Sequence, residues 1–365
     1  MRVLKFGGSC LQDGSGLARV VELVEATPAP LCVVVSALQG VTDRLRDLAF
    51  AAGSGATPDV TPLLDAHARL LEPLAGPHRE IAGRELEALR LELIQALNAV
   101  REGGATPPLL DPVLGWGERA SARLALAHLA QAGLEASLRV GAAAGVVTDA
   151  GFGHARFRPE AAARARELLA GETRVVVPGF VGQTPDGAWT TLGRGGSDTT
   201  AAFLGLALDA PVTLWKDTAL LSADPQLVPD ARVLRAVDPH DALELATAGL
   251  PAIAADALEL VRRDHPLEVR AFLGEAHSQI AAGATATAVV WVAHEPGRVR
   301  VTLVGAPGEP ATLDARAVDC LRAAGVEAAA GALTPSGRNH AWSVPAAAYP
   351  AAVRALHRAF VEDDI

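Results

Sequence analysis

The chain has 365 residues, half of them apolar and a fifth charged, which is enough to bury a full core and favours two domains over one. Its 42 acidic and 32 basic residues give a net charge of −10, which argues against nucleic acid or a membrane surface as partner. The chain contains no run of about 18 apolar residues, so no transmembrane span is expected. The initial MRVLKF resembles a strand rather than a signal peptide. The three cysteines lack metal-type spacing and favour neither a disulfide framework nor a zinc site, so a reducing, cytoplasmic setting is expected.

The first two thirds of the chain alternate between strand-like and helix-like segments. A strand is predicted to end at Phe6, and the apolar spacing from Leu17 to Val24 indicates one face of a helix. Residues 40–135 are mainly helical, and an apolar helix is expected over 201–208. The further predicted strands are LCVVV (31–35), RVVVP (174–178), PVTLW (211–215) and PLEVRAF (266–272). This alternation predicts an α/β layer structure with a largely parallel sheet.

The pattern changes in the last quarter of the chain. Residues 276–297 are rich in Ala and Gly and are predicted to form a linker with one strand, TAVVWVA. Residues 298–365 predict the order β-α-β-β-α, which is typical of a small ferredoxin-like unit with two helices on one sheet face. Because this segment has almost no candidate catalytic groups, we interpret it as regulatory or interfacial.

Lysine is scarce in this chain. Only Lys5 and Lys216 are lysines among the 32 basic residues. A lysine retained in so arginine-rich a chain indicates a position that needs a compact ammonium and would not fit a planar guanidinium. Chance is the competing explanation for either lysine alone. Both lie at predicted strand ends beside glycine or acidic residues, which favours a functional role.

The motif KFGGS begins at the first of these lysines. Gly7 and Gly8 would let backbone amides approach an anion, and the following helix N-terminus would add a favourable dipole. An ordinary strand-to-loop turn is the alternative. The chain lacks the P-loop, GxGxxG, HExxH and GxSxG patterns, so nucleotide chemistry would need another glycine architecture.

The strongest local motif is GRGGSDTT, over 193–200. Arg194 offers a planar fork for a carboxylate, the glycines expose backbone amides, and Ser197 or Asp198 could cap the following helix. A capped turn without a ligand would explain the serine and the glycines but gives Arg194 no role. Function is therefore the better interpretation.

Two weaker motifs lie where ligands often bind. GERASA, with Glu118, is predicted to begin a helix, and a favourable interaction with the helix dipole would explain the glutamate alone. SALQGVTD, over 36–43, follows a buried strand, and open α/β sheets bind ligands at the carboxyl ends of strands. A capped helix start is the alternative there as well.

Together these segments resemble an aspartate kinase of the amino acid kinase family. The resemblance covers roughly residues 1–275 and is carried by KFGGS, VVVSALQGVTDRL, GERASARL, VVPGFVGQTPDGAWTTLGRGGSDTTA and WKD…SADPQ, in this order and spacing. Residues 298–365 resemble the ACT regulatory domain of the same enzymes. The resemblance implies an amino acid kinase-like three-layer sandwich over 1–275, a linker over 276–297 and a small α+β ferredoxin-like (ACT) domain over 298–365.

The resemblance also implies a reaction. The expected activity is ATP-dependent phosphorylation of the β-carboxylate of L-aspartate, the first step towards lysine, threonine and methionine. Mg²⁺ would be held mainly by the phosphates of ATP, without a dedicated protein metal site. The resemblance to an ACT domain further implies an amino-acid effector there. A lone ACT-like unit would leave an exposed sheet edge or face that a partner normally covers, so a homodimer formed at least partly through residues 298–365 is expected.

The residue roles implied by the resemblance fall into three groups. The catalytic pair would be Lys5 and Asp198. The aspartate-binding residues would be Thr42, Glu118, Arg194 and Ser197, with Glu118 on the ammonium and Arg194 on the α-carboxylate. The nucleotide-binding residues would be Lys5, Gly7, Gly8, Ser9, Ser36, Gly195, Gly196, Trp215, Lys216 and Asp217.

The sequence departs from the family pattern on the nucleotide side. The turn after WKD is one residue shorter than in the family and lacks the family's glycine. The last residue of the family's TADPR motif, an arginine, is Gln226 in this chain. The family's FGAKVLHP motif corresponds to AGLPAIAA over 248–255. The tail beyond 275 fits one ACT unit and part of a second, where the family usually has two.

Two functions are alternatives to that of an aspartate kinase. A glutamate or uridylate kinase is disfavoured by Thr42, Glu118 and Arg194. A catalytically weakened paralogue that serves as an amino-acid sensor or partner subunit is the alternative of a different class.

Overall fold

The structure, a computed structural model, describes residues 1–248, 253–261, 266–283, 285–328, 331–334 and 337–362. It divides into two compact units, Met1–Asp217 and Thr218–Ile365. The domain boundaries expected from the sequence stay predictions. Among the described residues, no helix combines the length and apolarity that a bilayer crossing requires.

The first unit is built on a parallel sheet flanked by helices. Its strands are β1 (Arg2–Phe6), β2 (Leu31–Val35), β3 (Ser137–Leu138), β4 (Arg174–Pro178), β5 (Val181–Gln183), β6 (Trp189–Thr191) and β7 (Val212–Lys216). Its helices are α1 (Gly14–Glu25), α2 (Val41–Gly53), α3 (Thr61–Arg69), α4 (Gly76–Gly103), α5 (Pro107–Leu114), α6 (Trp116–Gln131), α7 (Ala161–Leu168) and α8 (Gly196–Leu208).

Continuous apolar runs place the central strands of this sheet in the core. The strands lie side by side in the order β3-β4-β2-β1-β7, and each neighbouring pair is parallel. Every residue of β2 is buried, so both faces of the strand are covered. Helices α6 and α8 pack against the central strands. The predicted α/β class with a largely parallel sheet is confirmed.

The second unit contains two groups of strands. Its elements are β8 (Ala236–Val237), α9 (Pro239–Thr247), α10 (Ala255–Leu258), β9 (Leu267–Ala271), β10 (His277–Ile280), β11 (Ala288–Glu295), β12 (Arg298–Val304), α11 (Pro310–Ala323), β13 (Ala332–Leu333), β14 (His340–Pro345) and α12 (Tyr349–His357). Strands β9 and β10 are antiparallel, and β8 lies parallel to β10.

The ACT-like part is an antiparallel sheet in the order β11-β12-β14-β13. Side chains of α11 and α12, such as Leu321 and Leu356, share a buried core with the strands around Trp342. The expected linker over 276–297 is wrong in one respect, because it holds two strands, β10 and β11, rather than one. Ser278 and Ile280 of β10 are buried, which the Ala- and Gly-rich composition did not indicate.

Candidate active site

The predicted site residues gather where four parallel strands of the first unit end. These ends are Phe6 of β1, Val35 of β2, Pro178 of β4 and Lys216 of β7. The register pairs Phe6 with Val35 and with Trp215, and Val35 with Pro178, so the four ends are neighbours. Ligands of open α/β sheets bind at such an edge because the following loops and helix N-termini converge there.

Two lysines share one buried carboxylate at this edge. Nζ of Lys5 lies 2.7 Å from Oδ1 of Asp198, and Nζ of Lys216 lies 2.6 Å from Oδ2. We call these three residues the two-lysine cluster. The side chains of Lys5 and Asp198 are 6% and 4% exposed, and that of Lys216 is 18% exposed. The cluster therefore holds two ammonium groups against one carboxylate, and its excess positive charge suits an incoming anion.

The pKa shifts within the cluster agree with this charge arrangement. Burial by itself would raise the pKa of Asp198, but the charges of Lys5 and Lys216 outweigh it and lower the pKa to about 2. Burial also lowers the pKa of Lys216, which Asp198 opposes. Asp198 thus stays ionised and fixes both ammonium groups.

Glu118 is a second buried carboxylate at the same edge. It lies in the first turn of α6, is 4% exposed, and its Oε2 has no hydrogen-bond partner among the described residues. Burial raises its pKa to about 7, although its own backbone amide, that of Ala37 and the charge of Lys5 oppose the shift. An unpartnered carboxylate oxygen in a buried position is suited to a cationic ligand group.

The glycines of KFGGS allow the first loop to approach its neighbours closely. The Gly7 amide donates to the Trp215 carbonyl at 3.1 Å, so it is engaged within the fold. A Cβ on Gly8 would lie 2.7 Å from the Ala37 carbonyl oxygen, which no side chain could tolerate. Gly8 and Ser9 are partly exposed at the start of a short 3-10 turn, so their amides are the ones available to an anion.

The turn after β2 carries Ser36 and Thr42, both partly buried. The Ser36 amide donates to the Phe6 carbonyl at 3.1 Å, and Gly40 precedes α2 with φ +76°. Thr42 lies in the first turn of that helix. A Cβ on Gly117 would lie 2.7 Å from the Ala37 Cβ, so this glycine lets α6 bring Glu118 against the turn.

Arg194 lies between two glycines in the left-handed region, Gly193 (φ +77°) and Gly195 (φ +73°). Its side chain is exposed and, in the described part of the chain, makes no hydrogen bond or ion pair. Its guanidinium is therefore available to a ligand.

The expected capping of α8 by Ser197 or Asp198 is wrong. The helix begins at Gly196, five residues before the predicted start, and Gly195 is its N-cap without a side-chain bond. Asp198 instead turns to the two lysines, whose charges stabilise it more than a single amide would. Ser197 is buried against Gly179, where a Cβ would lie 2.6 Å from the serine Cβ.

Sequence reasoning missed two unusual residues of the first unit, Phe180 and Asp111. Phe180 follows Gly179 with a φ of +67°, which is rare for an aromatic residue and is a form of strain common at functional sites. The Thr200 hydroxyl accepts the Phe180 amide at 3.0 Å and stabilises this conformation. No sequence signal marks Phe180. Asp111, by contrast, could have been noticed as a lone charge in the apolar helix PPLLDPVL.

The nucleotide-side residues lie at and after the end of β7. Trp215 is partly buried, and its ring is parallel to that of Phe6 at a centroid distance of 6.4 Å. Asp217 is exposed. Of the divergent stretch over 248–255, residues 249–252 lie outside the described residues.

In the second unit, the SADPQ segment belongs to the ACT-like core. Ala223 and Val228 pack with Val289 of β11 and with Phe360. The Ser222 hydroxyl lies 2.9 Å from Nε2 of the buried His357, and it accepts the Arg232 amide at 2.8 Å. These contacts make the segment a structural part of that unit.

The comparisons with known proteins agree with this α/β fold. The family model described as "Amino acid kinase family" matches residues 1–271. The chain belongs to the amino acid kinase family.

Curated relatives and solved structures include several aspartokinases. The chain is 32% identical over 321 residues to an aspartokinase of Mycolicibacterium smegmatis, covering 84% of this chain and 65% of that protein. Its fold is similar to that of E. coli aspartokinase III in complex with aspartate and ADP, with a TM-score of 0.79, 21% identity and coverage of 98% and 99% of the two chains. An aspartate kinase of Clostridium acetobutylicum gives a TM-score of 0.75 at 16% identity, with coverage of 99% and 100%.

Proposed function

We propose that the protein catalyses transfer of the γ-phosphoryl group of ATP to the β-carboxylate of L-aspartate. The two-lysine cluster is the observation that carries this proposal, because a buried excess of positive charge at a sheet edge suits a phosphoryl group in transfer. The aspartokinase relatives, of whose length the chain covers 65%, support aspartate as the acceptor. One oxygen of the β-carboxylate attacks the γ-phosphorus, the bond to the bridging oxygen breaks, and ADP leaves.

On the phosphate side, the proposed roles follow from charge and position. Lys5 contacts the phosphoryl group in transfer, and the amides of Gly8 and Ser9 bind phosphate oxygens near it. Lys216 neutralises charge on the nucleotide side, and Asp198 orients both ammonium groups. Phosphoryl transfer needs positioning and charge neutralisation more than a covalent protein group.

MgATP is the proposed nucleotide substrate. Both oxygens of Asp198 face lysine ammonium groups, and the described residues hold no cluster of three His, Cys, Asp or Glu suited to a metal. We propose that Mg²⁺ is held mainly by the phosphate oxygens of ATP, where it neutralises charge. The remaining candidates on the nucleotide side are Ser36, Gly195, Gly196, Trp215 and Asp217.

On the acceptor side, the groups available to aspartate are one carboxylate oxygen of Glu118 and the guanidinium of Arg194. Glu118 receives the α-ammonium at its unpartnered Oε2. Arg194 binds the α-carboxylate through its planar fork. Thr42 and Ser197 complete the binding of aspartate.

The weakened-paralogue alternative makes a different prediction. Two measurements distinguish an active kinase from a weakened paralogue. One is an ADP-release assay with and without L-aspartate, and the other is a calorimetric titration of aspartate. We expect turnover that depends on aspartate. Aspartate binding without ADP release at millimolar ATP would support the paralogue instead.

We also propose a homodimer that forms at least partly through residues 298–365 and responds to an amino acid bound there. Strands β11 and β13 are the edges of the ACT-like sheet, and exposed sheet edges are usually covered by a partner. Light scattering should give twice the chain mass of 37.5 kDa. A mass equal to one chain would contradict the dimer.

A further inference from the structure

Asp111 is a buried carboxylate outside the two-lysine cluster. It lies within α5 and is 1% exposed. Burial raises its pKa, although hydrogen bonds from Gly153 and Thr191 and the charge of His154 oppose the shift. A buried carboxylate is costly unless its oxygens are satisfied, so its partners indicate what the residue does.

The partners of Asp111 are the end of strand β6 and one loop of the first unit. Its Oδ2 accepts the Thr191 amide at 2.8 Å and the Gly153 amide at 2.9 Å, and its Oδ1 accepts the Thr191 hydroxyl at 2.9 Å. The Thr191 carbonyl accepts the Ala155 amide at 2.9 Å. All the polar groups of Thr191 are therefore used in joining α5, the end of β6 and the loop at 153–155.

This junction is adjacent to the turn that carries Arg194. A Cβ on Gly193 would lie 2.4 Å from Nδ1 of His154, so the turn lies directly against the loop that Asp111 holds. Leu192, between Thr191 and Gly193, donates its amide to the Phe180 carbonyl at 3.0 Å. Arg194 itself has no partner among the described residues, so its position depends on the chain that leads into the turn.

We propose that Asp111 is a positioning residue for the aspartate site, acting through Thr191 and Gly153 to fix the turn at 193–195 that carries Arg194. This inference rests on the proposed function, and it assigns a residue in α5 to recognition of the substrate α-carboxylate. An ordered turn lowers the entropy lost when an arginine binds its ligand and keeps its fork correctly directed.

Two substitutions at this position separate hydrogen bonding from charge. Asp111→Ala removes all three accepted hydrogen bonds. Asp111→Asn keeps one oxygen for the two amides and places an amide group where it donates to the Thr191 hydroxyl, which can rotate to accept. Asp111→Asn is therefore the matched control that preserves the junction without the charge.

Two readouts test the inference. In steady-state kinetics, Asp111→Ala should raise the KM for aspartate about tenfold or more, leave the KM for ATP within about twofold, and be largely rescued by asparagine. In limited trypsin digestion of the full chain, Asp111→Ala should speed cleavage after Arg194 about fivefold or more, with cleavage elsewhere unchanged. The digestion needs no substrate, so it tests the junction even if the wild type lacks aspartate-dependent activity.

The outcomes are distinct. If the wild type shows no aspartate-dependent activity and Asp111→Ala is still cleaved faster after Arg194, the proposed function is overturned, whereas the role of Asp111 in fixing the turn at 193–195 stands. Unchanged cleavage, or equal rises in both KM values, would overturn the positioning role. If Asp111→Ala does not fold, Thr191→Val is the second variant, because it removes only the hydroxyl that Asp111 accepts. Thr191→Val should speed cleavage after Arg194 by about threefold. An unchanged rate of cleavage in this variant would likewise overturn the inference.

Discussion

Nζ of Lys5 lies 2.7 Å from Oδ1 of Asp198, which joins the end of strand β1 to the first turn of helix α8, far away in sequence. The pair is buried, and the ammonium is also 3.7 Å from the place where a Cβ on Gly7 would lie. A compact ammonium fits this space, whereas a guanidinium is larger and planar. This limited space gives a physical reason for a lysine at position 5 in a chain whose other basic residues are nearly all arginine.

Substitution of Lys5 should affect the chemical step most. Lys5→Ala is expected to lower kcat about 10²-fold or more, the effect of losing one preorganised charge contact, with a modest change in the KM for ATP. Lys5→Arg is the matched control, and we expect it to remain impaired. Steady-state kinetics with varied ATP checks both variants. Full kcat in Lys5→Arg would show that a compact charge is not needed.

Substitution of Lys216 should have a different effect. Lys216 is more exposed than Lys5 and lies at the end of β7, beside the proposed nucleotide side. Lys216→Ala is therefore expected to raise the KM for ATP more than it lowers kcat, and Asp198 would keep its contact with Lys5. Nucleotide titration by calorimetry checks the affinity directly. Unchanged ATP affinity would remove Lys216 from the nucleotide side.

Arg194 should govern the affinity for aspartate. Arg194→Lys keeps the charge but loses the paired hydrogen bonds of the planar fork. We expect a large rise in the KM for aspartate and little change in that for ATP, measured by varying each substrate in turn. The account of this turn would fail if the KM for aspartate stayed at the wild-type value.

Glu118 should make stability depend on pH. Its pKa is raised from 4.5 to about 7 in the folded protein, so between these values the native state binds more protons than the unfolded state. Stability therefore falls as pH rises through this window, by roughly 3 kcal/mol once the group is ionised. Glu118→Gln should melt at a higher temperature than wild type at pH 8 and at a similar one near pH 4.5. Equal melting temperatures at both pH values would contradict the shift.

The same residue should make aspartate binding depend on pH. The proposed contact with the α-ammonium needs an ionised Glu118, so the KM for aspartate should fall as pH rises from 6 to 8 around the pKa of about 7. Glu118→Gln should raise that KM and flatten its pH profile. A profile that keeps its wild-type slope in the glutamine variant would assign the dependence to another group.

The sequence predicted well the features that depend on local pattern. Strands β2 and β4 have the predicted bounds, because continuous β-branched runs between turn residues leave few alternatives. The motif residues were expected at strand and helix ends, and the structure brings Lys5, Glu118, Asp198 and Lys216 to one sheet edge. Their individual roles stay proposals.

Features that depend on tertiary contacts were harder to predict. Asp198 was expected to be able to cap a helix, but its partners are two lysines on strands β1 and β7, and no local pattern encodes that choice. The junction at Asp111 joins three separated segments, so spacing alone gives no indication of it. The left-handed Phe180 is likewise imposed by its neighbours rather than by its own conformational preference.

Trapping of the acyl phosphate product tests the central claim most directly. The protein is incubated with ATP, Mg²⁺, L-aspartate and hydroxylamine, and the β-hydroxamate of aspartate is measured by mass spectrometry together with ADP. The account predicts hydroxamate and ADP in equal amounts from the wild type, and about 10²-fold less of both from Lys5→Ala. Aspartate and ATP binding without any hydroxamate would contradict it.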